Sequence, residues 1–170
     1  LKGNGEVVFE PHFTFFGFRY IKVEGIATEL QPQNFTAVAL YSDMQQTGSF
    51  TSSDSLINQL QHNIEWGLRG NFVDVPTDCP QRDERMGWTG DAQAFFRTAT
   101  FLRGVNNFFT KWMKDVAADQ TKAGSVPHVI PNVLGEVGAS TGWADVATII
   151  PWEMYMVYGD KRILETQYES

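Results

Sequence analysis

The pattern of hydrophobic and polar positions changes along the chain, and its first part is typical of strands. Up to residue 41 the chain is rich in aromatic and β-branched residues, which alternate with polar ones most clearly over 18–24. This pattern predicts strands at residues 6–10, 13–25 and 35–41. Three strands are too few for a complete sandwich, so we expect the end of a β-sandwich domain.

From residue 52 onward the hydrophobic spacing becomes helical. Apolar residues recur at every third or fourth position, polar residues at 52–54 offer an N-cap, and glycines stand where helices would end. A stretch rich in Gly, Pro and Ser at 124–142 predicts a long loop. The predicted helices are 55–70, 92–102, 105–122, 144–158 with a kink at Pro151, and a last one from 161 onward.

This change of pattern divides the chain into two predicted domains. We expect residues 1–45 to be the C-terminal part of the β-sandwich domain and residues 46–170 the N-terminal part of a mainly α domain. Helices that alternate with long loops favour a helical toroid or bundle over a solenoid, since no internal repeat is present. The chain lacks an initiator methionine and stops inside a helical pattern, so we expect an internal piece of a longer protein.

Composition and charge narrow the class of partner. The 170 residues carry a net charge of -7 without a basic patch, which argues against a nucleic-acid partner. The sequence has no run of about 18 apolar residues, so no membrane span is expected. Aromatic residues make up 14% of the chain, and an acidic, aromatic-rich surface suits a neutral ligand such as a carbohydrate. The compartment stays unknown, because a single cysteine excludes only an internal disulfide.

The strongest chemical signal is an acidic segment at 74–91. Two prolines and two glycines interrupt it, which argues against a helix with a charged, solvated face. Carboxylates on an irregular loop beside an aromatic side chain suit sugar chemistry, since one acid can protonate a glycosidic oxygen while others hold hydroxyl groups. The segment contains the acids Asp74, Asp78, Asp83, Glu84 and Asp91 and the indole of Trp88.

Glu84 is the candidate proton donor of the acidic segment. We expect the negative charges of its neighbours Asp78 and Asp83 to raise its pKa, as a donor at neutral pH requires. The cations Arg82 and Arg85 oppose this effect, and the sequence does not decide the balance. The alternative interpretation is that these acids and arginines form ordinary surface ion pairs.

The remaining candidates each have a structural interpretation as well. Asp91 falls in the first turn of a predicted helix, where a carboxylate offsets the helix dipole. Tryptophans most often pack in cores, but Trp88 and Trp143 stand beside glycines, which favours exposed sugar platforms. Cys79 is expected to be a small buried thiol and not a nucleophile. The spacing of acids, histidines and cysteine fits no metal signature, so we predict neither a metal site nor a cofactor.

Residues 74–93 closely resemble the signature of the α-L-rhamnosidases of glycoside hydrolase family 78. The similarity is nearly continuous from Asp74 to Arg85 and from Gly87 to Gln93. Residues 15–20 resemble the end of the family's β-sandwich, and residues 142–145 resemble its next active-site loop. The resemblance implies that residues 46–170 are part of an (α/α)6 barrel, and that the intact parent hydrolyses terminal α-L-rhamnosides with inversion.

The same resemblance implies roles for five residues. By motif position Glu84 resembles the general acid, and Asp78 and Asp91 resemble ligands of the rhamnose hydroxyl groups. Trp88 and Trp143 resemble walls of the sugar pocket. The family's general base is a glutamate far downstream, so the resemblance also implies that these 170 residues alone have little activity.

Arg82 lies inside the same motif, and we expect it to position the carboxylates. Three other functions stay open: a non-catalytic carbohydrate-binding module, a different (α/α)6 glycosidase, and a structural helical domain with acids on its surface. A sugar site predicts that Asp78, Glu84 and Asp91 converge on one hollow with Trp88, whereas a structural domain predicts that Glu84 and Asp91 point apart. The sequence does not predict the aglycone or the oligomeric state.

Overall fold

The computed structural model describes residue 5 and residues 7–15, 17–135 and 138–170, in two compact units, Leu1–Val38 and Ala39–Ser170. Positions 6 and 16, which belong to two of the predicted strands, lie outside the described residues. In the first unit the described residues form one short 3-10 helix, Pro32–Asn34, and all of them are exposed to solvent.

The structure differs from the sequence pattern in the first part of the chain. None of the strands predicted at 6–10, 13–25 and 35–41 is formed in the described residues. A strand needs a neighbour that bonds its backbone N–H and C=O groups, and these segments have no such neighbour among the described residues. Their large apolar side chains are accordingly exposed, with Val8 and Tyr20 at 86% and 90% of their full accessible area.

The second unit is mainly helical, as the sequence predicts. Its described residues form five helices: α1 Ser55–Asn71, α2 Thr89–Leu102, α3 Asn106–Asp119, α4 Val146–Tyr158 and α5 Arg162–Gln167. Helix α1 begins after Asp54, whose carboxylate accepts hydrogen bonds from the N–H groups of Leu56 at 2.8 Å and Ile57 at 3.4 Å. Helix α4 contains Pro151 and ends at Gly159, which adopts a left-handed φ of 69°.

Helices α2 to α5 pack around one hydrophobic core. The apolar stripe predicted on α3 is buried, and Phe109 lies at its centre. The rings of Phe72, Phe96, Phe108 and Trp112 stand edge-on to Phe109, with ring centroids between 4.8 and 6.0 Å away. This edge-to-face geometry is favourable for aromatic pairs, so the core gives the neighbouring acidic segment a rigid support.

The acidic segment is anchored to this core at its start. Strands β1 (Phe72–Val73) and β2 (Val75–Pro76) pair antiparallel around Asp74, which adopts a φ of 66°. Phe72 is only 3% exposed, so the hairpin enters the core directly before the acids begin.

The end of the acidic segment is anchored as well. Trp88 forms an antiparallel bridge with Val129, and the N–H of Ile130 donates to the carbonyl oxygen of Gly87 at 2.9 Å. A side chain at position 87 would collide with the carbonyl oxygen of Ile130, which explains the glycine. The segment is therefore held between the hairpin and the start of α2.

Residues 120–145 connect α3 to α4, and their described part, which omits 136–137, contains the Val129 bridge but no helix or strand. This agrees with the long loop predicted at 124–142. In the part of the chain that the structure describes, no helix is long and apolar enough to cross a membrane.

Candidate active site

The part of the acidic segment that lies between β2 and α2, residues 77–88, is folded back on itself by hydrogen bonds of its own backbone. The N–H of Asp78 donates to the carbonyl oxygen of Met86 at 3.1 Å, and the N–H of Glu84 donates to that of Arg82 at 2.9 Å. Residues 77–87 form no helix or strand, as predicted. This turn brings the beginning and the end of the segment together, so that Asp78 and Glu84 share a common partner.

That common partner is the thiol of Cys79. Its Sγ lies 2.7 Å from Oδ2 of Asp78 and 3.3 Å from Oε2 of Glu84, and Nε of Arg82 donates to it at 3.2 Å. Cys79 is 7% exposed, in agreement with the buried thiol that the sequence predicts. Burial raises the pKa of the Cys79 thiol, and the hydrogen bond to Asp78 adds to this effect. The thiol therefore keeps its proton, and a neutral donor lies between two carboxylates.

Both carboxylate oxygens of Glu84 have further partners. The indole Nε1 of Trp88 donates to Oε1 at 2.9 Å, and a terminal guanidinium nitrogen of Arg82 forms an ion pair with Oε2. The Glu84 side chain is 22% exposed, so solvent still reaches it. Asp83, which the sequence suggests as an electrostatic neighbour of Glu84, is instead fully exposed and pairs with Arg85 at 3.4 Å.

Asp91 lies in the first turn of α2, as predicted. Burial and the negative charges of Asp78 and Glu84 raise the pKa of Asp91. Asp91 is therefore coupled electrostatically to Asp78 and Glu84. The position of Asp91 also suits the positive end of the helix dipole, and the two interpretations are compatible.

Asp78 and Asp91 line the same pocket, which has a volume of about 440 Å3. Apolar side chains of Leu68, Phe72 and Phe95 form much of its remaining wall. Oδ1 of Asp78 is buried and has no hydrogen-bond partner among the described residues. A buried acceptor without a partner is costly, so a ligand hydroxyl group that donates to it would be favoured. Glu84 and Trp88 are not among the residues that line this pocket.

Trp143 approaches the start of α2 from the long loop. A methyl group at Gly90 would lie 3.0 Å from its indole Nε1, so the indole rests against the glycine that precedes Asp91. Trp143 is 37% exposed, and its ring stands edge-on to His128 with centroids 5.7 Å apart. The indole is thus accessible and held against the first turn of α2, although Trp143 is not among the residues that line the pocket.

Two residues that support this arrangement were not predicted from the sequence. The sequence predicts that Cys79 is buried, but it does not predict the contacts of its thiol with both Asp78 and Glu84. Gln93 is part of the recognised motif, and its Nε2 donates to the carbonyl oxygen of Gly142 at 2.8 Å. The sequence signal for Gln93 is its place two positions after Asp91, but its partner lies 49 residues away.

One group of possible metal ligands lies in the same place. Single ligand atoms of Asp78, Cys79 and Glu84 lie within 4.8 Å of one another. The guanidinium group of Arg82 already contacts the latter two, so a cation would have to compete with it. The arrangement fits a network that binds a neutral, hydroxyl-rich ligand better than a metal site.

Comparison with family models assigns both parts of the chain. The model of the bacterial α-L-rhamnosidase six-hairpin glycosidase domain matches residues 45–170. The model of the bacterial α-L-rhamnosidase concanavalin-like domain matches residues 1–41.

Individual relatives agree with these matches. The chain is 51% identical over 168 residues to an α-L-rhamnosidase of Formosa agariphila, which covers 98% of this chain and 18% of that protein. The native α-L-rhamnosidase structure from Aspergillus terreus matches with a TM-score of 0.77 at 46% identity, covering 84% of this chain and 17% of that one. The Streptomyces avermitilis α-L-rhamnosidase in complex with L-rhamnose matches with a TM-score of 0.71 at 41% identity, covering 75% and 12%. The chain therefore spans at most 18% of the length of these relatives.

Proposed function

Because this chain belongs to the bacterial α-L-rhamnosidase family, with most of it in the six-hairpin glycosidase domain, we propose that its intact parent is an inverting α-L-rhamnosidase. By intact parent we mean a protein of the relatives' length that contains these residues. Its substrates are glycosides or polysaccharides with a terminal, non-reducing α-L-rhamnose. The acid cluster around Cys79 carries this proposal, since it joins carboxylates and an indole in one place.

Glu84 is the general acid in this proposal. An inverting glycosidase needs one protonated carboxyl group at the leaving oxygen and one carboxylate that activates water. Trp88 and Arg82 each hold one oxygen of the Glu84 carboxylate, which fixes its orientation. A proton donor must be held within hydrogen-bond reach of the leaving oxygen, so this fixed orientation supports the role.

Asp78 and Asp91 bind the sugar hydroxyl groups in this proposal, and Trp88 and Trp143 cover its apolar face. The support is the pocket that Asp78 and Asp91 share, together with Oδ1 of Asp78, which has no hydrogen-bond partner among the residues that the structure describes. An indole suits the apolar face of a sugar ring, and Trp143 packs against Gly90, the residue that precedes Asp91 in α2.

The two parts of the chain have different roles in the parent. We assign residues 1–45 to the C-terminal part of a β-sandwich domain and residues 46–170 to the N-terminal part of the (α/α)6 catalytic barrel. The catalytic base is a glutamate outside these 170 residues. Since an inverting enzyme without its base cannot activate water, the chain alone is expected to hydrolyse rhamnosides very slowly.

The decisive experiment compares Glu84→Gln with the wild type in the intact parent. Replacement of a general acid slows the release of poor leaving groups by about 100-fold to 10,000-fold and affects activated aryl leaving groups much less. The matched control is Asp83→Asn, because Asp83 is the adjacent acid but is fully exposed, and in the described part of the chain its ion pair is with Arg85. This control should retain wild-type activity on both substrates.

Proton NMR of the first product tests the stereochemistry. An inverting enzyme releases β-L-rhamnose first from an α-rhamnoside. Initial release of the α anomer would contradict inversion, and equal losses in Glu84→Gln on all leaving groups would contradict the acid role. Saturable rhamnose binding by the intact parent without any turnover would instead support a carbohydrate-binding module.

A further inference from the structure

We propose that Cys79 is a positioning residue that sets the distance between the sugar-binding acid Asp78 and the proton donor Glu84. The inference rests on the proposed function, because the roles of those two acids come from it. The sulfur does not touch the substrate in this proposal. It acts through the two carboxylates and through Arg82.

Cys79, Arg82 and Glu84 contact one another in a closed triangle, and Asp78 is attached to this triangle through Cys79. Its sulfur is 2.7 Å from Oδ2 of Asp78 and 3.3 Å from Oε2 of Glu84. Arg82 donates to the sulfur through Nε at 3.2 Å and pairs with Glu84 through a terminal nitrogen. No other side chain among the described residues is found bonded to both acids, so the sulfur is the direct link between them.

The charges of Asp78, Glu84 and Arg82 explain why a thiol suits position 79. Two carboxylates that face each other repel, and a neutral donor between them weakens this repulsion without adding charge. A thiol supplies one weak donor and one weak acceptor on a small, largely apolar side chain. The single S–H proton goes to the nearer oxygen, on Asp78, and the sulfur accepts from Arg82, which holds Glu84 at the same place through its ion pair.

Because Cys79 is buried, removal of its thiol should affect both Asp78 and Glu84. Cys79 is 7% exposed, so water cannot readily replace the missing donor. Within the described part of the chain Oδ1 of Asp78 has no hydrogen-bond partner, and removal of the thiol would leave Oδ2 without its side-chain donor as well. We expect the Asp78 carboxylate to rotate toward other donors. We expect Glu84 to stay paired with Arg82 and to move away from Asp78 together with it.

The kinetic test uses Cys79→Ala and Cys79→Ser in the intact parent. Alanine removes both donor and acceptor, and we expect it to raise KM through Asp78 and to lower kcat on poor leaving groups through Glu84. The combined fall in kcat/KM should be about tenfold, the usual effect of one lost hydrogen bond to a charged group. Serine restores a donor and an acceptor, so it should recover most of the loss.

A spectroscopic test avoids variants of Cys79 that fail to fold. The chain contains one cysteine, so the infrared S–H stretching band of the wild-type chain belongs to Cys79 alone. A strong acceptor lowers this frequency, and Asp78→Asn should raise it because a neutral amide accepts less strongly than a carboxylate. A control variant, Asp83→Asn, should leave the band in place.

The outcomes separate this inference from the proposed function. If the wild-type parent hydrolyses no rhamnoside, the proposed function fails. If the wild type is active and Cys79→Ala keeps both kcat and KM, the positioning role is wrong. An S–H band that does not respond to Asp78→Asn would also overturn it, because the central contact would then be absent.

Discussion

The indole nitrogen of Trp88 donates a hydrogen bond to Oε1 of Glu84 at 2.9 Å. Trp88 is the last residue before α2, and its backbone forms a bridge with Val129. The backbone from which the indole extends is therefore fixed. The orientation of the candidate general acid is therefore tied to the start of a helix, although Glu84 itself lies on an irregular segment.

The first prediction concerns this hydrogen bond. Trp88→Phe keeps an aromatic ring but removes the N–H donor, so Oε1 of Glu84 loses its hydrogen bond from the indole. We expect kcat of the intact parent on an unactivated rhamnoside to fall by about fivefold to tenfold, as for one hydrogen bond to a charged group. Steady-state kinetics on a natural rhamnoside measures this fall.

A matched control is Trp152→Phe, because Trp152 is 53% exposed on α4 and, among the described residues, its ring pairs only with that of Tyr155. That variant should keep its kcat. Equal kcat values for Trp88→Phe and wild type would show that the indole hydrogen bond does not orient the acid.

The second prediction concerns the close packing of Trp143 on α2. In Gly90→Ala the new methyl carbon would lie 2.9 Å from the carbonyl oxygen of Gly142 and 3.0 Å from Nε1 of Trp143. The indole must move to avoid it, so we expect weaker binding of L-rhamnose by the intact parent, with Kd raised at least about threefold. Isothermal titration calorimetry measures this change.

Gly104→Ala, beyond the other end of α2, is the control for Gly90→Ala. A methyl group there meets its nearest neighbours, Gln45 and Thr47, at an ordinary 3.7 Å. Its affinity for rhamnose should match that of the wild type. If Gly90→Ala binds equally well, Trp143 is not part of the sugar pocket.

The helices and the acid-rich loop could be predicted from the sequence, and the reasons are local. The apolar stripe of α3 and the Asp54 cap of α1 depend on residues within a few positions, so periodicity and capping chemistry reveal them. The irregular course of the acidic segment follows likewise from its prolines and glycines. The motif also indicated Asp78, Glu84 and Asp91 as a group.

What the sequence could not reveal depends on distant contacts. Trp143 meets Gly90 across more than fifty residues, and no spacing rule indicates that contact. The link through Cys79 requires the turn closed by the hydrogen bond between Asp78 and Met86, which the sequence does not specify. The predicted strands depend on partners, and without them in the described residues an alternating pattern gave no strand.

The third prediction uses two aspartates whose pKa values shift in opposite directions. The pKa of Asp91 is raised above its ordinary 3.8 by burial and by Asp78 and Glu84. As the pH rises above 3.8 the unfolded chain loses this proton first, so stability falls through the window up to the raised pKa and stays lower above it. Asp91→Asn removes this loss and should raise the Tm of the chain at pH 7 but not below pH 3.8.

Asp160 provides the opposite case for the same measurement. Its hydrogen bonds with Arg162 lower the pKa from 3.8 to about 2. The stability from this pair is present above pH 3.8 and disappears as the pH falls through about 2. Asp160→Asn should therefore lower the Tm at pH 7. Changes of the same sign in both variants would contradict the assigned directions.

The part of the connection between α3 and α4 that carries Trp143, here called the Trp143 loop (residues 140–145), is held by hydrogen bonds to both backbone polar groups of Gly142. The carboxylate of Asp145 accepts from its N–H at 2.8 Å, and Nε2 of Gln93 donates to its carbonyl oxygen, also at 2.8 Å. Gly142 has a φ of 87°, a conformation that favours glycine. These two bonds fix the backbone directly before Trp143, on the side that faces α2.

The fourth prediction separates the positioning of this loop from stability. Gln93→Leu removes the donor to Gly142, but it also removes Oε1 of Gln93, which is buried and has no hydrogen-bond partner among the described residues. The two effects offset each other in the free energy of unfolding, so we expect a loss below about 1 kcal/mol.

The Trp143 loop nevertheless loses its link to α2 in Gln93→Leu, and Kd for L-rhamnose in the intact parent should rise by about fivefold. The control is Gln59→Leu, because Gln59 is exposed on α1 and its side chain bonds only Asn63 within the described part of the chain. This variant should leave Kd unchanged. A large loss of stability with unchanged Kd would show that Gln93 supports the fold and not the position of Trp143.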